Sequence, residues 1–382
     1  MKTRIIKIKG PFKQSKLGRT LVILKNWQRL VGGESYYPND EHKTNGRILL
    51  DQLYFLWKYG CDEPFYFLYG FDRKKMNRER IAKEYLLPFS SFQKKVEELN
   101  QHNPKYKWDS FIITWDKFLT GTLLESFDIP TPHIYCYIKD GQIHYMDPQF
   151  NTHEGVGAYQ QLAGLLSGNM SLFCKPSCGA LGNDVFSLDV RNNCIYINDE
   201  ICEIDDVIDR LLSDDYIIQE KVYQHSLMNK LNDSSVNTIR ILTVMRKDGS
   251  VLAFGAGLRI GRRGSSVDNW SKGGIFVGID MEQGRLMEKG FLKPQYGTVL
   301  LQHPDTLVTF KNFEIPYFKE VVQLVTRSHE KLYWCHSLGW DVAITDNGPV
   351  IIEANSMWEV SLIQAAHGGL KEKIGGFFLN ED

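Results

Sequence analysis

Apolar positions along this chain change their period near residue 110. Before it they recur at helical spacing, most clearly over 47–59, where Ile48, Leu49, Gln52, Leu53, Phe55 and Leu56 form one stripe and predict an amphipathic helix. Further helices are predicted over 73–87 and 90–100, with an aromatic segment at 64–70 (Pro-Phe-Tyr-Phe-Leu-Tyr-Gly) that reads as core. Polarity rises at His102-Asn103-Pro104-Lys105, which suits a domain boundary. Beyond residue 111 short helices alternate with strands. A helical run opens at Lys117 and stops at Ile129-Pro130-Thr131-Pro132, strands 134–138 and 142–146 flank the hairpin signal Asp140-Gly141, and a helix is expected over 155–167. The alternation is strictest in 235–244 and 254–260, which places Thr238, Arg240 and Leu242 on one face and Asn237, Ile239 and Ile241 on the other.

The stretch 339–355 carries the strongest pattern. Two β-rich runs flank Asp346-Asn347-Gly348, a composition that suits a three-residue hairpin loop with Thr345 facing Pro349. In the expected pairing Asp341 lies opposite Glu353, and Asn355 follows two residues on along the same face. Facing carboxylates repel unless a cation separates them, and hard oxygen ligands favour Mg2+ or Mn2+. A solvent-facing hairpin is the competing reading. Trp340, Val342 and Ile344 on the opposite face, with Trp358 following, make both faces look covered.

Composition narrows the class of protein. A chain of 382 residues with 43% hydrophobic and 24% charged residues is long enough for two or three globular domains. Its formal net charge of -1 supplies no global field to recruit nucleic acid, so no nucleic-acid partner is expected. The charge is nonetheless uneven: up to Glu34 only Lys2, Arg4, Lys7, Lys9, Lys13, Lys16, Arg19, Lys25 and Arg29 are charged. This basic arm is either solvated or a contact for anionic membrane or polysaccharide. Seven scattered cysteines without a C-x-x-C pair, no apolar run near the roughly 20 residues that span a bilayer, and no signal-peptide pattern lead to the expectation of a cytoplasmic protein.

Several stretches carry candidate phosphate chemistry. A strand over 171–176 places Lys175 near its end, followed by a turn with Gly179 and Gly182, whose backbone amides could approach an anion. The order is neither a Walker loop nor a Rossmann fingerprint, and a tight turn with an exposed lysine is an equal reading. The apolar strand 215–222 runs into Gln219-Glu220-Lys221-Val222, which could read adenine through backbone groups and a carboxylate or could simply be a solvent-facing strand end. Arg240 and Arg259, on neighbouring strands, suit the oxygens of a transferring phosphoryl group. The polar, glycine-bearing loop 265–274 is a candidate lid.

With Lys117, Lys175, the glycine turn, Glu220, Arg240, Asp341, Glu353 and Asn355 in this order, the chain resembles the ATP-grasp superfamily, and within it the sugar-transfer-associated ATP-grasp proteins of surface polysaccharide biosynthesis. The motifs Val236-Asn237-Thr238-Ile239-Arg240, His303-Pro304-Asp305, Gly339-Trp340-Asp341-Val342-Ala343 and Ile352-Glu353-Ala354-Asn355 carry the resemblance, which covers about residues 111 to 365. It implies an α+β fold with two lobes gripping ATP and a mainly helical N-terminal domain. The expected domains are 1–110, 111–222 and 223–382.

The resemblance also implies site roles. Lys117 and Lys175 contact ATP phosphates beside Gly179 and Gly182; Gln219, Glu220, Lys221 and Val222 hold adenine; Asp341, Glu353 and Asn355 bind Mg2+; Arg240 and Arg259 face the transferred phosphate. Many relatives place an acid after the adenine-binding glutamate to hold ribose, whereas His225, Ser226 and Asn229 occupy that region here. The implied activity is ATP-dependent ligation of a carboxylate, such as a uronic or amino acid, to an amine through an acyl phosphate. An ATP-grasp kinase acting on a hydroxyl and a non-catalytic ATP-binding scaffold stay open as alternatives.

Overall fold

A computed structural model describes residues 27–101, 111–150, 156–179, 184–265 and 267–378. The basic arm before residue 27, the boundary at 102–105 and Gly182 lie outside the described residues. The described chain forms two units, one containing residues up to Val96 together with Gly297–Val299 and the C-terminal segment from Glu359, the other Glu97–Tyr296 with Leu300–Trp358.

The first unit is helical. Its helix α1, Asn45–Tyr59, begins two residues before the apolar stripe because the Thr44 hydroxyl accepts from the Arg47 amide, and ends at Gly60 in the left-handed conformation (φ 88°). One buried polar position on α1, Asp51, accepts from Lys43 Nζ (2.8 Å), Tyr66 Oη (2.9 Å) and Arg78 Nε (2.8 Å). The aromatic segment is core as expected, with Tyr66, Leu68 and Tyr69 buried. The helix predicted over 73–87 shrinks to Arg78–Glu84: Asn77 caps its start, and the preceding residues are spent in turns. Helix α2, Phe89–Gln101, receives at its start the buried Glu63 carboxylate, which accepts from the Phe65 and Phe89 amides. Burial pushes that carboxyl up to about 7 despite both bonds.

The second unit carries two sheets. The first contains β1 (Ile134–Lys139), β2 (Gln142–Met146), β3 (Met170–Pro176), β4 (Phe186–Arg191), β5 (Cys194–Ile197), β6 (Glu200–Cys202) and β7 (Tyr216–Glu220), ordered β2-β1-β7-β3-β4-β5-β6. Its core includes Cys136, Ile138, Leu172, Cys174, Leu188 and Ile218, together with Leu162 and Leu165 and with Val207, Ile208 and Leu211 from two short helices. The second contains β8 (Thr238–Met245), β9 (Val251–Ile260), β10 (Ile275–Asp280), β11 (Arg285–Phe291), β12 (Val299–Leu300), β13 (Ser337–Thr345) and β14 (Gly348–Asn355), ordered β12-β11-β10-β9-β8-β13-β14. Helix α3, Phe318–Lys331, contributes Phe318, Val321, Leu324 and Val325 to its core. The architecture is α+β with a helical N-terminal region, as the chain pattern and the resemblance implied.

One register prediction fails locally and recovers. The β13-β14 turn has two residues, Asp346 and Asn347, with Gly348 at φ 116°, so Thr345 pairs with Gly348 rather than Pro349. Left uncorrected, that slip would move every later side chain to the other face. A bulge between Val342 and Asp341 leaves Ile352 as the extra residue, and Asp341 returns to its place opposite Glu353. Strand β13 is buried from Ser337 to Ile344, which excludes the solvent-facing hairpin.

Candidate active site

The chemistry-bearing side chains converge in the second unit, and local sequence explains their placement. Asp116 accepts from the amides of Phe118 and Leu119, which makes Lys117 the first residue of the helix Lys117–Ser126. The Lys117 amide donates to the Ser177 carbonyl (2.9 Å), and its ammonium donates to the Gly179 carbonyl (2.8 Å) and approaches Glu353 Oε1 at 3.8 Å. Gly179 has φ 111°, a conformation L side chains rarely adopt, although the space around it is open. Beside it the Ser177 hydroxyl is buried and has no partner among the described residues.

Lys175, on β3, is buried rather than exposed. Burial lowers its ammonium to about 8; Glu353 opposes that shift, while the nearby positive charge of Lys117 adds to it. A small cleft is lined by Lys117, Thr120, Lys175, Gln219, Ile352 and Glu353. Gln219 is buried on β7, whereas Glu220 is exposed and exchanges backbone contact with His133 through its amide (2.8 Å). Lys221 is already engaged: its ammonium meets Asp189 (2.8 Å) and its amide donates to Ser171 (3.3 Å).

The second sheet supplies a guanidinium-carboxylate network. Arg240 on β8 pairs across the ladder with Asp341 on β13, and Thr238 pairs with Arg259 on β9, so all four side chains share one face. Arg240 Nε and Nη2 donate to the two Asp341 oxygens at 2.6 and 3.1 Å, and Arg259 Nη2 reaches Asp341 Oδ2 at 2.7 Å. Burial alone would raise the Asp341 carboxyl; Arg240 and then Arg259 outweigh it and hold the group below the usual carboxylate range.

Asp268 and His133 escaped sequence reasoning. Asp268, in the loop 265–274, is buried and accepts from the Thr238 amide (2.9 Å) and the Thr238 hydroxyl. The same hydroxyl oxygen accepts from Arg259 Nε (3.0 Å) and Nη2 (2.8 Å). The loop polarity was visible, but nothing in its spacing singled out Asp268. His133 lies between Glu125 (3.0 Å) and Asp147, and although burial opposes its charge, Asp147 and Glu125 raise its pKa. Asn237, from a recognised motif, ties a turn together: its amide donates to Gln224, Met228 and Asn232 while its carbonyl accepts from the Gly261 amide. His225, in the expected ribose region, caps a short helix by accepting from the Leu227 amide.

The donor chemistry fits a hard divalent cation. Glu353 and Asn355 follow Asp341 in the expected arrangement, and Asn355 Nδ2 is buried with no partner among the described residues, so a half-turn of that amide presents a carbonyl oxygen to the same place. Among the described residues no three His, Cys, Asp or Glu side chains form a metal-binding group, and the Asp341 oxygens are occupied by guanidinium donors. A cation at this place would draw on Glu353 and Asn355 directly, and on Asp341 only in exchange for its guanidinium partners.

The family profile described as sugar-transfer associated ATP-grasp matches residues 99–375. No curated protein matches the chain. Among solved structures, an L-amino acid ligase from Bacillus licheniformis aligns at 12% identity and TM-score 0.39, over 83% of this chain and 60% of that one. An N5-carboxyaminoimidazole ribonucleotide synthetase from Thermotoga maritima aligns at 11% identity and TM-score 0.35, over 68% and 48% respectively. The ATP-grasp ligase PsnB, solved with a precursor peptide and AMPPNP, aligns at 13% identity and TM-score 0.33, over 67% and 53%. The chain thus spans about half to three-fifths of the length of these neighbours. Matched over most of its length by that profile, the chain belongs to the sugar-transfer-associated ATP-grasp family.

Proposed function

We propose that the protein is an ATP-dependent carboxylate-amine ligase acting through an acyl phosphate, with a substrate in surface polysaccharide biosynthesis or modification. The observation that carries this reading is the convergence of Lys117, Lys175, Arg240, Arg259, Asp341 and Glu353 within one unit of an ATP-grasp chain. A carboxylate is a poor electrophile until one of its oxygens becomes part of a phosphate leaving group. Its oxygen attacks the γ-phosphorus, the bond to the β-γ bridging oxygen breaks, and ADP departs. An amine then attacks the acyl carbon, loses a proton and expels inorganic phosphate, leaving an amide.

Lys117 and Lys175 bind the phosphates beside Gly179 and Gly182, and Gln219, Glu220 and the Lys221–Val222 backbone hold adenine, with Val222 the more accessible amide because that of Lys221 donates to Ser171. Mg2+ held by Asp341, Glu353 and Asn355 would neutralise phosphate charge when bound. Arg240 and Arg259 stabilise charge at the transferred group. The loop 265–274 keeps water out, held at Asp268 by Thr238 and at Trp270, whose indole donates to the Phe291 carbonyl (3.0 Å). The lobes are read as 111–222 and 223–382, following a helical domain over 1–110.

The test is ADP and phosphate release from Mg-ATP across amino acids, amines and uronic acids, singly and in pairs. The ligase requires ADP and phosphate to rise together only with a carboxylate-plus-amine pair, alongside an amide product. ADP without free phosphate and a phosphorylated hydroxyl would replace the ligase by a kinase; nucleotide binding without turnover on any pair would replace it by a scaffold. Contact of the basic arm with anionic membrane or polysaccharide is proposed on charge, and salt-sensitive sedimentation with anionic vesicles, lost on deleting residues 2–26, is its test. No described helix is long and apolar enough to cross a membrane.

A further inference from the structure

Arg259 has two acidic neighbours with different roles in the geometry. On one side its Nη2 meets Asp341 at 2.7 Å. On the other its Nε lies 3.7 Å from Asp268, and both Nε and Nη2 donate to the Thr238 hydroxyl oxygen. That oxygen can accept from the guanidinium only while its own proton points elsewhere. Asp268 supplies the elsewhere: its Oδ2 accepts hydrogen bonds from the Thr238 hydroxyl and the Thr238 amide. Gly274 packs closely against the same loop, where an added Cβ would come within 2.3 Å of the Asp268 carbonyl.

Asp341 is also one of the three groups assigned to the cation. Any ligand drawing its oxygens away from Arg259 removes one of the two anchors of that guanidinium. We infer that Asp268 is the positioning residue that keeps Arg259 aimed when Asp341 changes partners, acting through the oriented Thr238 hydroxyl. Arg259 is thereby held for the terminal phosphate and not for the rest of the nucleotide. This inference rests on the nucleotide reading above.

Binding of Mg-AMPPNP and Mg-ADP to full-length protein separates the two levels. Wild type binds the triphosphate analogue more tightly than ADP. Asp268→Asn, which retains shape and removes charge, lowers affinity for Mg-AMPPNP about tenfold, the scale of one charge-assisted hydrogen bond, and leaves Mg-ADP within about twofold. Thr238→Val, which removes the relay hydroxyl, produces the same selective loss and keeps the test available if the first variant does not fold. Adding either change to Arg259→Lys costs no further triphosphate affinity. Equal loss for both nucleotides, unchanged binding of both, or additive effects with Arg259→Lys would overturn the role of Asp268. Wild type that binds neither nucleotide would overturn the nucleotide reading itself.

Discussion

The two sheets of the second unit prepare their charges in opposite ways. In the first, Lys175 is buried with a depressed ammonium, and no carboxylate forms an ion pair with it among the described residues. In the second, Arg240, Arg259, Asp341 and Asp268 neutralise one another through contacts of 2.6–3.7 Å. The first arrangement is destabilising until an anion arrives. The second is stable alone and must exchange partners when ligand binds. Strain on one side and pairing on the other therefore divide binding from positioning.

Variants can sharpen or break this contrast. The largest effect is expected at Glu353, which both Lys117 and Lys175 sense. Glu353→Gln should reduce ADP formation about a thousandfold with circular dichroism unchanged, because the carboxylate charge proposed to hold the cation is lost while volume is kept; wild-type turnover would remove Glu353 from the site. Next comes Arg240→Met. Leaving buried Asp341 with one guanidinium should cost about 3 kcal/mol in urea unfolding, and a loss below 1 kcal/mol would mean that Arg259 alone satisfies it.

Lys175 should behave in the reverse sense. Its folded-state pKa is about 8 against an ordinary 10.5, so the unfolded chain holds the extra proton between those values and stability rises with pH through that window. Below pH 8 the penalty is fully present. Lys175→Met should therefore stabilise the apoprotein by about 2 kcal/mol at pH 7, with the gain disappearing above pH 10.5, and should weaken nucleotide binding. Calorimetry in two buffers at pH 8.5 should find proton uptake when Mg-ATP binds; no uptake would separate Lys175 from the phosphates. The smallest effect is at Gly257, opposite Arg240, where a Cβ would lie 2.2 Å from the Phe276 ring. Gly257→Ala should cost about 1 kcal/mol and leave the acidic network working.

The sequence by itself determined the strands that alternate, the hairpin and the two arginines on neighbouring strands, because each is set by local period and by residue types a few positions apart; the α+β class followed from the order of motifs that the chain shares with its family. It also placed Asp341 opposite Glu353, although the turn it expected was one residue too long and a bulge at Ile352 made up the difference. The tertiary structure alone decided which charges meet. Asp268 reaches Thr238 across 30 residues and Arg240 reaches Asp341 across 101. Lys175 could not be known as buried from its strand-end position, nor Asn237 as a structural tie from its motif. Hydrogen-bond partners and desolvation depend on what the rest of the chain brings alongside, and no local spacing encodes that.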